Sequence, residues 1–233
     1  MKIENKKLIR KLFVLIFVLL ASYFYSDYFE GTHLIDENNI ELKQVMNTDL
    51  EESINTINED FKIYFLDVGE ADSILISNNG EYALIDAGNN EDGPKLVKYF
   101  NSLGIANFKY VIVTHPHEDH IGGMDNIIKN FNIEHFYMPE VIVNNRTYEE
   151  VIEALNNKGM SFETPIIDST FTMADSKFTT LFIGEDTIDL NNSSIVLKLN
   201  YKDTSYLFTG DATSEVEKQI LNKDLKSDVL KVG

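Results

Sequence analysis

Seven consecutive residues, Thr114-His115-Pro116-His117-Glu118-Asp119-His120, constrain this chain more than any other stretch. Only five histidines occur in 233 residues, and three of them fall between positions 115 and 120. The run before them, Lys109-Tyr110-Val111-Ile112-Val113, is aromatic and β-branched and predicts a buried strand. The run after them places Ile121, Met124, Ile127, Ile128 and Phe131 at helical spacing, which predicts a helix over 121–131. The polar cluster therefore lies on a loop between a strand and a helix, where α/β folds put their chemistry. Residues two apart in an extended segment point the same way, so His115 and His117 can serve one metal ion. Asp119 and His120, at the turn into the helix, face a second point nearby. Imidazole nitrogens and carboxylate oxygens suit zinc, manganese or iron. The competing account is a polar surface loop whose histidines only form hydrogen bonds. Three His and one Asp in one loop after a strand favour the metal site.

The N-terminus reads separately. Lys2, Lys6, Lys7, Arg10 and Lys11 precede an apolar block from Leu12 to Tyr25 that is broken only by Ser22. That pattern predicts a signal peptide or signal anchor over residues 1–30, formed by a hydrophobic helix. No small-x-small cleavage site follows, which favours an uncleaved anchor in the cell membrane over a secreted form. Positive charge stays on the cytoplasmic side, so the rest of the chain is expected to be extracytoplasmic. Residues 31–60 read as an acidic linker, with Asp36, Glu37, Glu41, Asp49, Glu51, Glu52, Glu59 and Asp60 facing only Lys43.

Charge excludes one class of partner. The whole chain carries −18, and without residues 1–11 it keeps 15 Lys and Arg against 37 Asp and Glu, a balance of −22. Such a surface repels phosphate backbones at long range, so broad nucleic-acid binding is not expected. A local cationic site made by metal ions can still accept an anionic ester. With no cysteine in the chain, thiolate ligands, thiol nucleophiles and disulfides are excluded.

From about residue 61 to residue 233 the pattern is that of one α+β domain. Strands are expected over 61–67, 72–77 and 81–86, with a tight hairpin at Asn79-Gly80. A helix follows with Leu96, Val97, Phe100 and Leu103 on one face and Gly104 as its stop. After the His loop come a short strand at 133–136 and an amphipathic helix over 146–158. The rest is β-rich: a strand over 178–183, a hairpin of 193–199 with 205–208, a helix capped by Thr213, and a strand from Asp228. Strands, then helices, then strands suggest two packed sheets with helices outside. Asp86 and Asp211 each end an apolar strand; either alone is an ordinary turn residue. Together with the His loop they can meet at one edge of the sheets, Asp211 bridging two metals and Asp86 holding the loop in place. Asp72 flanks a turn at the same edge.

His115, His117, Asp119 and His120 form the pattern His-x-His-x-Asp-His, and with it the chain resembles the metallo-β-lactamase fold. Leu84-Ile85-Asp86-Ala87-Gly88 resembles that family's first motif, and Leu207-Phe208-Thr209-Gly210-Asp211 its bridging aspartate. Phe65-Leu66-Asp67-Val68-Gly69-Glu70-Ala71-Asp72-Ser73, Asn191 to Leu197 and Asp228 to Gly233 are similar to the external domain of ComEC-type DNA-uptake (competence) proteins. The resemblance covers residues 61–233 and implies a four-layer αββα sandwich. It implies two divalent metal ions, zinc or manganese, held by His115, His117, Asp119, His120 and Asp211. The wider family supplies a third His to the first metal; here no His follows His135, and Asn192 or Ser194 is expected to line that position. In relatives the segment like 228–233 runs on into His-His-Gly, whereas this chain stops at Gly233, so the domain reads as C-terminally incomplete.

The implied chemistry is hydrolysis by a metal-bridged hydroxide, with Asp119 and Asp211 as catalytic residues that orient it. The helix start near Ile121 would add partial positive charge for an anion. The expected function is an extracytoplasmic metal-dependent hydrolase of a phosphodiester, nucleic-acid strand or other small anionic ester. The alternative is a membrane-anchored remnant or binding module of the same fold that has lost turnover.

Overall fold

A computed structural model describes residues 61–233. The expected signal anchor and acidic linker lie outside the described residues. Among the described residues no helix is long and apolar enough to cross a membrane.

Ten strands form two five-stranded sheets. The first sheet runs in sequence order, β1 (Phe61–Phe65), β2 (Ile74–Asn78), β3 (Glu81–Ile85), β4 (Asn107–Ile112) and β5 (Asn132–Tyr137). The β1–β3 meander is antiparallel, and β3, β4 and β5 are parallel. The second sheet runs in reverse order, with β10 (Val229–Lys231) beside β9 (Thr204–Phe208), then β8 (Val196–Tyr201), β7 (Ser176–Phe182) and β6 (Thr170–Met173). Parallel neighbours need crossovers, and helices supply them. Helix α1 (Gly93–Ser102) links β3 to β4, and α2 (Glu118–Ile121) with α3 (Met124–Asn130) links β4 to β5. Helix α4 (Arg146–Asn157) follows β5, and α5 (Ser214–Ile220) joins β9 to β10.

The alternation of side chains along the strands creates the layers. Ile74, Ile76, Ala83, Ile85 and Ile112 face inward and pack on Phe178, Leu197, Leu199 and Phe208 of the second sheet. Leu75, Leu84 and Val111 face the other way, onto Leu96, Phe100, Ile127, Val151 and Leu155 of α1, α3 and α4. Val196 and Leu207 face outward from the second sheet onto Val216 and Ile220 of α5. The order is therefore helix, sheet, sheet, helix. A stack of rings closes the inter-sheet layer, with Phe171 on Phe178 at 4.8 Å and Tyr110 on His135 at 5.2 Å. His135 is committed there, its Nδ1 lying 3.1 Å from Glu163.

The tight hairpin forms as expected, with Asn79 and Gly80 both at positive φ. One expected element differs. The helix expected over 121–131 is two pieces, and the break is at Gly122 and Gly123. All five apolar residues of the stripe are buried, so the spacing marked the buried face correctly. The chain bends because backbone crosses there. A Cβ on Gly122 would stand 2.2 Å from the Asn90 nitrogen, and one on Gly123 2.4 Å from the Ala87 oxygen. These glycines let the Asp86–Asn90 loop lie directly on the His loop. Gly159 offers the control, since its φ is +70 but the space around it is open. Gly122→Ala is expected to lose about 3 kcal/mol of stability by overpacking, against about 1 kcal/mol for Gly159→Ala from its left-handed backbone alone. Denaturant titration of both variants checks that order.

Candidate metal centre

The sheet topology explains why residues far apart in sequence share one edge. Strands β3 and β4 are parallel, so Asp86 and the His loop leave the first sheet at the same end. Strand β2 is antiparallel to β3, so Asp72, just before β2, enters at that end too. In the second sheet β9 and β10 are parallel and β8 runs against β9. Asp211 after β9, Lys231 at the end of β10 and residues 191–195 before β8 therefore arrive together. Ile195 N donates to the Thr114 oxygen at 2.9 Å and joins the two sheets beneath the cluster.

Asp86 organises the His loop. Its φ is 57, and its carboxylate is 1% exposed. One oxygen accepts from the Thr114 backbone N–H at 2.8 Å; the other accepts from the Thr114 hydroxyl at 2.6 Å and meets His120 Nδ1 at 2.9 Å. Backbone bonds add to this. Asp86 N donates to Ile112, Ala87 N to His120, and Asp72 N to Asp119. Glu118, exposed, accepts from Asn90 N at 2.9 Å. Asp67 turns away from the cluster, its carboxylate taking only the Gly69 N–H.

His117 is extended at φ −80, ψ 152, and begins α2, so Asp119 and His120 lie on the first helical turn. The helix thus starts three residues earlier than expected and is four residues long, too short for its dipole to matter. The two rings of the extended pair converge as the spacing implied. His115 Nε2 and His117 Nδ1 are 2.9 Å apart. Two ring nitrogens this close either share a proton or share a ligand, and donors on one tetrahedral zinc are separated by about 3.3 Å. His120 Nε2 turns to a second point, 3.3 Å from Asp211 and 3.7 Å from Asp119. Ligand atoms of His115, His120 and Asp211 all lie within 4.8 Å of one another, so the Asp211 carboxylate is within reach of both rings, while His117 and Asp119 stand outside that trio.

Charge follows the geometry. Burial, aided by the neighbouring His120, pushes the His115 imidazole down to about 3, so its lone pair is free at neutral pH. Burial also opposes charge on His120, but the Asp86 and Asp211 carboxylates outweigh it and raise the ring to about 10. The hydrogen bond from His120 is the main reason that Asp211 is held below the usual carboxylate range.

Of the residues expected near the third-ligand position, neither side chain is free. Asn192 accepts from the Thr213 hydroxyl and donates to Asp186 at 3.3 Å, so it serves the start of α5 and not the cluster. Ser194 is fully buried and its hydroxyl receives the Asp211 backbone N–H at 3.3 Å, which sets the position of Asp211. Two residues escaped the sequence reading. The amide of Asn191 comes close enough to the His115 ring to favour its protonated form, and its oxygen is buried with no hydrogen-bond partner. Lys231 is nearly buried, paired with Asp72 and 3.8 Å from Asp211. Burial lowers its ammonium to about 8, while the Asp72 carboxylate beside it favours the charge. Asp72 therefore reaches the cluster through Lys231 and sits 3.8 Å from His120.

The donor set fits divalent ions: two facing imidazoles, a carboxylate within reach of the His115 and His120 rings, and an orphaned amide oxygen. A model of the metallo-beta-lactamase superfamily matches residues 66–230. This chain belongs to the metallo-β-lactamase superfamily. Its metallo-β-lactamase domain is 27% identical over 193 residues to ComE operon protein 3 of Bacillus subtilis, which is 74% of this chain and 25% of that protein. It is 29% identical over 177 residues to Recombination protein 2 of Haemophilus influenzae, 72% of this chain and 20% of that protein. The chain thus spans a quarter or less of the length of these curated relatives, and the likeness to competence proteins expected from its sequence is shown. Among solved structures, the metallo-β-lactamase SMB-1 bound to 2-mercaptoethanesulfonate shares 13% identity at a TM-score of 0.53, over 76% of this chain and 77% of that one. That likeness shows the fold alone.

Two outcomes follow for the metal-free protein. Asp86→Asn leaves a buried imidazolium with half its support and is expected to cost about 3 kcal/mol, read by thermal or denaturant unfolding. The raised His120 ring contributes stability that is complete below its unfolded value near 6.5 and is lost as pH climbs through about 10. Unfolding free energy measured from pH 6 to 10.5 is expected to fall across that window, and less so in Asp86→Asn.

Proposed function

We propose that this chain is a metal-dependent hydrolase of anionic esters, a phosphodiester before others, with zinc or manganese at two adjacent points. The observation that carries the reading is the approach of His115 Nε2 to His117 Nδ1 and of His120 Nε2 to Asp211, with the Asp211 carboxylate within 4.8 Å of both the His115 and His120 ligand atoms. His115, His117 and Asp211 would hold one ion, and Asp119, His120 and Asp211 the other. Divalent ions in such a pair supply a Lewis acid and lower the pKa of water.

The chain's own groups do the rest. His115 is neutral, so its nitrogen donates without first losing a proton. Asp211 is an anion throughout the neutral range. Asp119, with 43% of its side chain exposed, is the carboxylate at this edge best placed to orient an incoming water and take its proton. His120 is protonated without metal and would give up its Nε2 proton to serve as a donor, while Asp86 accepts the Nδ1–H and so leaves Nε2 as the nitrogen facing the site. Lys231 offsets part of the charge of Asp72 and Asp211, which would otherwise repel an anionic ester.

The resemblance of residues 61–233 to the external domain of ComEC-type DNA-uptake proteins supports a nucleic-acid strand as substrate. The net charge of −18 supports a short or single-stranded ester over a long duplex held along a surface. The basic start and the apolar block Leu12–Tyr25 support a membrane anchor with the domain outside the cytoplasm. The test is turnover of bis(p-nitrophenyl) phosphate by the full chain. Chelation is expected to abolish it, added manganese or zinc to restore it, and His117→Ala to lower kcat at least about 100-fold. Metal binding without turnover of this or any short oligonucleotide would favour the binding-module reading instead.

A further inference from the structure

We propose that the side-chain oxygen of Asn191 is the third protein donor to the ion held by His115 and His117. This rests on the metal reading above and adds to it a residue and a donor type. No histidine lies between His135 and Asp211, so a third protein donor on this side of the cluster has to be of another type.

Three observations converge on Asn191. Its Oδ1 is one of three buried side-chain atoms among the described residues that lack a hydrogen-bond partner; the other two belong to Asn78 and Thr180. Buried amide oxygens are rarely left so, and a bound ion is one of the ordinary reasons. Its turn leads straight into Ser194 and Ile195, which hold the Asp211 N–H and the Thr114 backbone oxygen, so it lies beside the His115 ring, with which its side chain interacts and whose Nε2 is 2.9 Å from His117 Nδ1. The turn that carries it is clamped. Asn191 N donates to the Asp189 carboxylate at 3.2 Å, Ser194 N donates to the Asn191 backbone carbonyl at 3.2 Å, and Ile195 N donates to the Thr114 backbone carbonyl. Gly184 admits the turn, since a Cβ there would lie 1.7 Å from the Asn192 oxygen. A donor on so fixed a turn is preorganised.

The neighbours are already used. Asn192 serves Asp186 and Thr213, and the Ser194 hydroxyl serves Asp211. Only the Asn191 oxygen is left to meet an ion. An amide oxygen is a harder donor than imidazole, so this position favours manganese over zinc relative to a site with a third histidine.

The experiment is equilibrium binding of manganese to the full chain, followed by electron paramagnetic resonance, with cobalt(II) absorption as a second readout. The wild type is expected to bind two ions. Asn191→Ala is expected to weaken one of them about 10-fold or more and to change the cobalt spectrum. Asn191→Asp, which keeps the oxygen, is expected to retain both ions. Asn191→His is expected to retain both and to shift the preference toward zinc. If Asn191→Ala binds both ions within twofold of the wild type with an unchanged cobalt spectrum, while His117→Ala loses one, the Asn191 assignment fails and the metal reading stands. If the wild type binds no ion, both fail. Retention in Asn191→Asp separates lost ligation from misfolding, because that variant tests the same turn.

Discussion

A carboxylate taken out of water must be met on every side, and Asp86 meets that demand with the His loop itself. Its two oxygens receive the Thr114 N–H, the Thr114 hydroxyl and the His120 ring. None of these partners is incidental. Thr114 stands two residues beyond the end of β4, at the start of the His loop, and His120 is the residue whose far nitrogen faces Asp211. One charged side chain at the end of β3 thus fixes where the loop starts, where it enters the helix and which nitrogen of His120 is free. The glycines at 122 and 123 matter for the same reason, since they let the Asp86 loop lie against the helix entrance.

The second sheet completes what the first begins. Gly210 packs between Thr114 and Ser194, where a Cβ would lie 2.9 Å from the threonine and 3.1 Å from the serine. This close approach brings Asp211 across the sandwich to the two histidine points. Lys231 does similar work from β10, reaching Asp72 on the first sheet. The cluster therefore belongs to the packing of two sheets. It forms only when both are in place, which ties donor geometry to folding of the whole domain.

Much of this was legible from the chain. The apolar runs around Asn79-Gly80 marked β2 and β3 as a hairpin, and the 3.6-residue stripe marked the buried side of α2 and α3. The His loop, Asp86 and Asp211 could be read because strand-end acids beside clustered imidazoles are an uncommon pattern. What could not be read was decided by contacts across the sandwich. Nothing in Asn191-Asn192 distinguishes one amide from the other until a turn assigns Asn192 to Thr213 and leaves Asn191 beside His115. Lys231 carries no local signal of a role, and only its pairing with Asp72 places it at the cluster. The helix break at Gly122 came from a crossing of backbones, which no local propensity records.

The account stands or falls on whether two ions occupy the points that the donors define. Anomalous diffraction from manganese-loaded crystals of the full chain locates them directly. Two peaks about 3.5–4 Å apart, one beside His115 Nε2 and His117 Nδ1, the other beside His120 Nε2, with Asp211 touching both, is the predicted result. A single peak away from these nitrogens, or none while the His115 and His117 rings stay hydrogen-bonded to each other, would contradict it.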